Sequence, residues 1–251
     1  MDKRDTALLS TDAVLSAIAR AVGNGQCFSL VRCGDGENLC MAQETVLPMR
    51  KIMQEVWAKA SVSSTAKGVQ LPNLQLRDRL IASVKSADIV GVHRWDDKMI
   101  LTFDRLKRPL LERVFAYSHI RPKALCDATV TRFFPQLPAF WKILRQRRVL
   151  LVSIWAEKFA SIIKAPPYGL TVGGCIPCDS FAAVDGAIKK AVALRRSFDI
   201  ALVSAGVNAL ILAAEIARQA GKPAIDFGKG MQFMVEGRAG LGAPKSRFAP
   251  R

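Results

Sequence analysis

The chain has 251 residues, half of them apolar, enough for a full hydrophobic core, which excludes disorder as its dominant state. Lys and Arg number 37 against 21 Asp and Glu, a net charge of +16, so its expected company is polyanionic: phosphates, nucleic acid or an acidic membrane surface.

The N-terminal stretch has Asp2 and Asp5 among its first charges and no apolar run ending in a small-residue cleavage site, so no secretory leader is expected and a cytoplasmic location follows. Thr11 to Val22 sets Val14, Leu15, Ile18, Ala21 and Val22 on one helical face, with Thr11 as N-cap and Gly23-Asn24-Gly25 as the stop. Cys27 to Arg32 predicts a short strand, which Gly34-Asp35-Gly36 breaks before a helix over Asn38 to Gln43. Met49 to Ala60 and Leu76 to Ala87 read as helices, and the polar loop between them, Ser61 to Gly68, has the composition of a mobile lid. Asp88 to His93 is a strand of the nearly all-apolar kind found in buried parallel sheets; a helix around Met99 to Tyr117 and a strand at Lys123 to Cys126 follow.

Arg148 to Ile154 is a buried strand, Glu157 to Lys164 a helix and Leu170 to Cys175 a further strand. Asp179 or Ser180 caps a helix reaching about Arg195; then come a strand at Asp199 to Val203, a helix at Val207 to Ala220 and a last strand at Pro223 to Phe227. The most apolar stretch, Ile200 to Ala214, is interrupted by Ser204, Gly206 and Asn208 and is too short to cross a bilayer as one helix. Strands alternating with helices at this spacing predict an α/β fold, a Rossmann-like, mostly parallel sheet with flanking helices. One domain is expected over residues 1–228 and a basic tail containing Gly and Pro over 229–251.

Six cysteines, Cys27, Cys33, Cys40, Cys126, Cys175 and Cys178, sit mostly in apolar runs, where they pack as reduced small hydrophobes. Cys175-Ile-Pro-Cys178 before a helix formally matches a redox motif, but its surroundings are not those of a thioredoxin. His93 and His119 have no second His or Cys at ligand spacing, so each is expected to be structural rather than zinc-bound. Trp57, Trp95, Trp141 and Trp155 are expected in the core.

Open parallel sheets bind ligands beyond the carboxyl ends of their strands. Six loops therefore share the ligand face: Cys33 to Glu37, His93 to Asp97, Asp127 to Arg132, Gly173 to Ser180, Ser204 to Asn208 and Asp226 to Lys229. In Arg32-Cys33-Gly34-Asp35-Gly36-Glu37-Asn38, two carboxylates stand two residues apart in a turn stripped of bulk. Both can face one hard cation, and Mg²⁺ or Mn²⁺ fills its remaining positions with water and phosphate oxygens. The same residues also suit a plain helix start, with Asp35 as N-cap, Glu37 complementing the dipole and Arg32 paired with either. Ser204-Ala205-Gly206 at a helix N-terminus offers backbone N–H groups to a phosphate, and Asp226 before Gly228 either touches a ligand or caps a turn.

The segment Ser29 to Asn38 resembles the signature of GT-D-type glycosyltransferases, whose metal motif is Asp-x-Glu. Segments similar to Asp179-Ser180-Phe181, Ala205-Gly206 and Gly221-Lys-x-Ala-Ile-Asp226-x-Gly228 occur in the same order there, so the likeness brackets positions 29 to 228. It implies a GT-D-like fold and a transferase using a nucleotide-sugar, usually a UDP-sugar. Asp35 and Glu37 would engage Mn²⁺ or Mg²⁺ on the diphosphate, and Gly34 and Gly36 would let the backbone approach it. Arg32 and Arg132 are the candidate basic groups for the departing diphosphate. Asn38, Ser204, Gly206 and Asp226 are further candidate donor contacts. A base for the acceptor hydroxyl is sought among Asp96, Asp97, Asp127 and His93, with Asp127 carried forward as a catalytic candidate. Cys33 stands where the family has an apolar or aromatic residue, and Lys229 where a His is frequent.

The acceptor, which the sequence does not identify, is expected to be a glycan, a lipid-linked molecule or a protein, and the positive charge suits peripheral contact with an anionic membrane. A nucleic-acid binder is the competing class, but the basic residues are scattered and aromatics are only 7%, leaving few stacking platforms, so no nucleic acid is expected. A dinucleotide oxidoreductase lacks its glycine fingerprint. Nucleotide binding without catalysis is a third alternative.

Overall fold

Val149-Leu150-Leu151-Val152 and Ile200-Ala201-Leu202-Val203 have no polar face, and such strands are stable only when both sides of their sheet are covered. The computed structural model of the chain describes residues 3–63 and 68–238. Eight strands among them form one all-parallel sheet: β1 (Leu8–Leu9), β2 (Phe28–Cys33), β3 (Ile89–Val92), β4 (Leu125–Asp127), β5 (Arg148–Val152), β6 (Thr171–Ile176), β7 (Ile200–Val203) and β8 (Pro223–Asp226). Their spatial order is β1-β4-β3-β2-β8-β7-β5-β6. Leu30 of β2 pairs with Ile89 of β3 on one side and Ile225 of β8 on the other.

The helices are α1 (Thr11–Asn24), α2 (Asp35–Ala42), α3 (Met49–Ile52), α4 (Val56–Ser63), α5 (Leu74–Ser86), α6 (Arg108–Tyr117), α7 (Val130–Phe133), α8 (Pro138–Leu144), α9 (Ala156–Lys164), α10 (Val184–Ala193), α11 (Asn208–Ala220) and α12 (Gly230–Val235). One core joins α2, α5, α6, α10 and α11 to Val31, Val90, Leu150, Val152, Ala201 and Val203. The opposite core joins α1, α8, α9 and α12 to Leu30, Ile89, Val149, Leu151, Ile200 and Leu202. Alternate residues of each strand thus feed opposite faces, as the pleat requires.

Local chemistry sets the boundaries. Ser10, not Thr11, caps α1, its hydroxyl accepting from Ala13 N at 3.2 Å, and Gly25 closes the helix in the left-handed conformation. Residues 49–60 form two helices, α3 and α4, rather than one. The helix expected from Met99 begins only at Arg108, because Asp97 Oδ1 accepts the Met99 N–H at 2.8 Å and holds the backbone in a turn. The helix expected from Asp179 or Ser180 starts as a single tight turn at Phe181–Ala183 before α10.

The fold also continues past residue 228, since Met231 and Met234 of α12 are buried. Residues 64–67 of the expected lid and 239–251 of the expected tail lie outside the described residues. No described helix is long and apolar enough to cross a membrane. All six cysteines are free thiols, and burial pushes Cys175 and Cys178 up to about 11, away from the thiolate that redox chemistry needs. Trp141 is buried as expected, whereas Trp57, Trp95 and Trp155 are only half-buried.

Candidate functional site

The strand order reverses between β2 and β8, and the carboxyl ends around that point collect the functional groups. β4, β3, β2, β8 and β7 are consecutive neighbours, so the loops carrying Asp127, His93, Asp35, Asp226 and Ser204 lie side by side. Of the sixth expected loop, Gly173 to Ser180, residues 173–176 belong to β6 at the far edge, where they pair with β5, and only 177–180 follow the strand.

From β2, Arg32 reaches across to β8: its Nε lies 3.3 Å from Asp226 Oδ1, and its Nη1 donates to Ala128 O at 2.9 Å. Burial opposes the Arg32 charge, but Asp226 and Glu37 beside it outweigh that and hold its pKa above the ordinary value. Asp226 is fully buried, and burial raises its carboxyl despite Arg32. Its Oδ1 also accepts from Gly228 N at 2.9 Å, whereas its Oδ2 makes no hydrogen bond among the described residues. Gly228 holds a left-handed φ of 56°, and a Cβ there would meet the Arg32 guanidinium at 2.5 Å.

The motif itself opens α2. Gly34, not Asp35, is the N-cap, and its N–H donates to Glu37 Oε2 at 3.0 Å, one half of a capping box. Asp35 and Glu37 occupy the first turn, where the helix dipole favours anions. Burial first, and Asp226 second, raise the Glu37 carboxyl to about 7. Gly36 does not expose backbone to a ligand: a Cβ there would lie 2.6 Å from the Trp57 ring, so its missing side chain seats the indole. Asn38 is fully buried and donates to Leu106 O at 3.0 Å and Lys107 O at 3.1 Å, pinning α2 to the irregular segment before α6 instead of facing the cleft.

Arg132 on α7, which follows β4, is lowered to about 10, by burial first and by Arg32 second, while Asp35, Asp97 and Glu37 oppose the shift. One arginine therefore feels all three carboxylates and Arg32 together. Asp127 Oδ1 accepts from both the N and the Oγ1 of Thr129 at 2.7 Å, which ties it to the start of α7. His93, just past β3, bonds through Nδ1 to Asp97 Oδ2 at 3.1 Å, and both are buried. Burial works to raise the Asp97 carboxyl, but His93, the Met99 N–H and Lys107 hold it below its usual range. Asp96 instead pairs with Arg94 at 2.9 Å near the surface. Sequence reasoning left these bases undivided, although the i,i+4 spacing of His93 and Asp97 was a legible signal. It placed Trp57 in the core and did not single out Lys107; both reach the site only through tertiary packing.

Ser204 follows β7, and Gly206 precedes α11. The first residue of that helix, Asn208, donates to Gly68 O at 2.9 Å, and Gly68 O also accepts from Phe181 N at 2.8 Å. The carboxyl end of the expected lid is therefore fastened between two loops of the ligand face. Lys229 precedes α12.

Among the described residues no group of three or more His, Cys, Asp and Glu is placed to hold a metal ion. Mg²⁺ and Mn²⁺ need only one or two carboxylates when phosphate and water complete the shell. Asp35 and Glu37 on the first turn of α2 are hard oxygen donors of that kind, and the buried, unsatisfied Asp226 Oδ2 adds negative potential beside Glu37. The donor set fits such a cation.

The GT-D fold-like domain model matches residues 9–234, and the chain belongs to that family. Among curated proteins no relative matches. Of solved structures, one described as a new glycosyltransferase (DUF1792) from Streptococcus sanguinis superposes with a TM-score of 0.58 at 14% identity, covering 92% of this chain and 85% of that one. Another, described as showing that the highly conserved domain of unknown function 1792 has a distinct glycosyltransferase fold, has a TM-score of 0.51 at 16% identity, with 95% and 91% covered. These likenesses establish the fold.

Proposed function

We propose that this chain is a metal-dependent glycosyltransferase that moves a sugar from a nucleotide-sugar, a UDP-sugar, to a glycan, lipid-linked or protein acceptor on the cytoplasmic side of a membrane. The observation that carries the reading is the convergence, at one reversal of strand order, of two first-turn carboxylates with the buried Arg32–Asp226 pair and Arg132. Membership of the GT-D-like family and the glycosyltransferases among its structural neighbours support the same activity.

Charge develops on the departing diphosphate as the glycosidic bond breaks, and preorganised cations stabilise it most where water is excluded. Asp35 and Glu37 would hold the Mn²⁺ or Mg²⁺, which supplies Lewis-acid neutralisation of that diphosphate when bound. Arg132, half-buried and within the field of Asp35, Asp97 and Glu37, supplies a further positive charge there. Arg32 is held by Asp226 and Ala128 O, so its part is to set the potential and position β2 against β8 rather than to swing onto a ligand. The loop at Ser204 and Gly206, beside β8, is the place for the nucleotide.

Calorimetric titration of UDP and UDP-sugars with and without Mn²⁺ tests this, on the wild type and on Asp35→Ala combined with Glu37→Ala. Metal-dependent binding lost in the double variant is the expected result. A folded wild type that binds no nucleotide overturns it.

A further inference from the structure

Folded proteins ordinarily put apolar groups inside and charges outside. A cavity of about 560 Å³ between the start of α4 and residues 97–107 reverses that order. Its inner end carries Asp97 and Lys107, both buried, with Lys107 Nζ donating to Asp97 O at 2.8 Å and lying 3.7 Å from Asp97 Oδ2. Its mouth carries Val56, Leu101 and Phe103, exposed by 78%, 78% and 62%. The other large exposed apolar side chains among the described residues, Leu74, Tyr117 and Ile154, lie outside this lining. The charges of the rim are mixed: Lys98, Glu55 and Asp104 line it, and the Arg105 guanidinium lies over the Phe103 ring at 4.8 Å while pairing with Glu55.

This cavity adjoins the donor site. Trp57 forms one wall and is the ring seated on Gly36, between Asp35 and Glu37. Asn38 bonds to the carbonyls of Leu106 and Lys107, and Arg132 feels Asp97 together with Asp35 and Glu37. We propose that the cavity is the acceptor subsite, and that it takes a sugar linked to an apolar chain, the sugar entering toward Asp97 and Lys107 and the chain leaving past Val56, Leu101 and Phe103 into a lipid surface. The volume is that of a small-molecule site, and an apolar mouth repays contact with a hydrocarbon chain. A free glycan or a polar peptide gains nothing from three exposed apolar side chains at the opening.

The inference rests on the transferase reading, and the test separates the two. n-Octyl-β-glucoside below its micelle concentration and methyl-β-glucoside are titrated into the full chain without donor, and UDP binding is measured in parallel. The octyl glycoside is expected to bind and the methyl glycoside not. Leu101→Ser combined with Phe103→Ser is expected to weaken the octyl glycoside about tenfold or more with UDP binding unchanged, because two chain contacts are lost. Ile154→Ser, at an exposed apolar residue outside the cavity, is expected to change neither. Equal binding of the two glycosides, or equal weakening by Ile154→Ser, overturns the lipid-linked acceptor while leaving the donor site standing. Absence of UDP binding by the wild type overturns the transferase reading and the acceptor role with it.

Discussion

Arg32 and Asp226 meet across the join between the two halves of the sheet, and among the described residues one oxygen of Asp226 is engaged, at 3.3 Å from Arg32 Nε, and the other is not. Removing one partner of such a buried pair strands the other's charge, which costs about 3–5 kcal/mol. Arg32→Met is therefore expected to lower the denaturant midpoint far more than a surface Arg→Met such as Arg20→Met. Arg32→Met combined with Asp226→Leu is expected to recover much of the loss. A double variant as unstable as the sum of the single ones shows that the two residues do not act as a pair.

Glu37 makes stability depend on pH in a stated direction. Its carboxyl is raised from 4.5 to about 7 in the folded chain, so the folded state holds a proton that the unfolded state has released. The contribution of this group is complete below 4.5 and is lost as the pH rises to about 7. Glu37→Gln, which keeps the neutral shape, is expected to flatten that part of the stability curve, followed by thermal melts from pH 4 to pH 8. Metal binding needs the ionised carboxylate, so the wild type's Mn²⁺-dependent UDP affinity is expected to rise through the same interval.

Gly36 lies inside α2, where Gly→Ala ordinarily stabilises a helix by about 1 kcal/mol. The Trp57 ring, 2.6 Å from the position of the added methyl, reverses the sign. Gly36→Ala is expected to destabilise the chain and shift its tryptophan emission to the red as the indole is displaced. In a Trp57→Ala background the same change is expected to become neutral or stabilising. Destabilisation in both backgrounds places the obstruction elsewhere.

Asn38→Ala leaves the carbonyls of Leu106 and Lys107 without their side-chain donor. A buried carbonyl robbed of its partner costs about 1–3 kcal/mol. Hydrogen exchange over residues 97–107 is expected to quicken more than exchange in β5 or β7. A uniform quickening across the sheet refutes a local pin.

The ligand face was legible in the sequence because the strands before it are apolar runs whose ends are marked by Gly, Asp or Ser, as at Cys33-Gly34-Asp35 and Val203-Ser204. Two-residue β1 was not, since Leu8 and Leu9 acquire strand geometry only by pairing with Leu125 and Cys126. Helix α8 carries apolar Phe140, Trp141 and Leu144 but begins at a proline after an interrupted turn, so its pattern is short. At the site, residue types in the turn gave the carboxylates and arginines. The true duties of Gly36 and Asn38 were hidden, because each is set by a partner more than twenty residues away along the chain: Trp57 in one case, Leu106 and Lys107 in the other. Helical spacing alone likewise suggested a helix from Met99, and one carboxylate, Asp97, overrides it.

The strand made last of the eight lies between β2 and β7, whose edges it alone joins. Without residues 223–226 the sheet falls into two parts, β1-β4-β3-β2 and β7-β5-β6, each with an open edge carrying leucine and valine. Open edges of this kind are templates for unwanted pairing between chains, and in this sheet it is the last strand of the sequence that closes both of them. Arg32, meanwhile, waits almost two hundred residues of synthesis for the carboxylate that neutralises it.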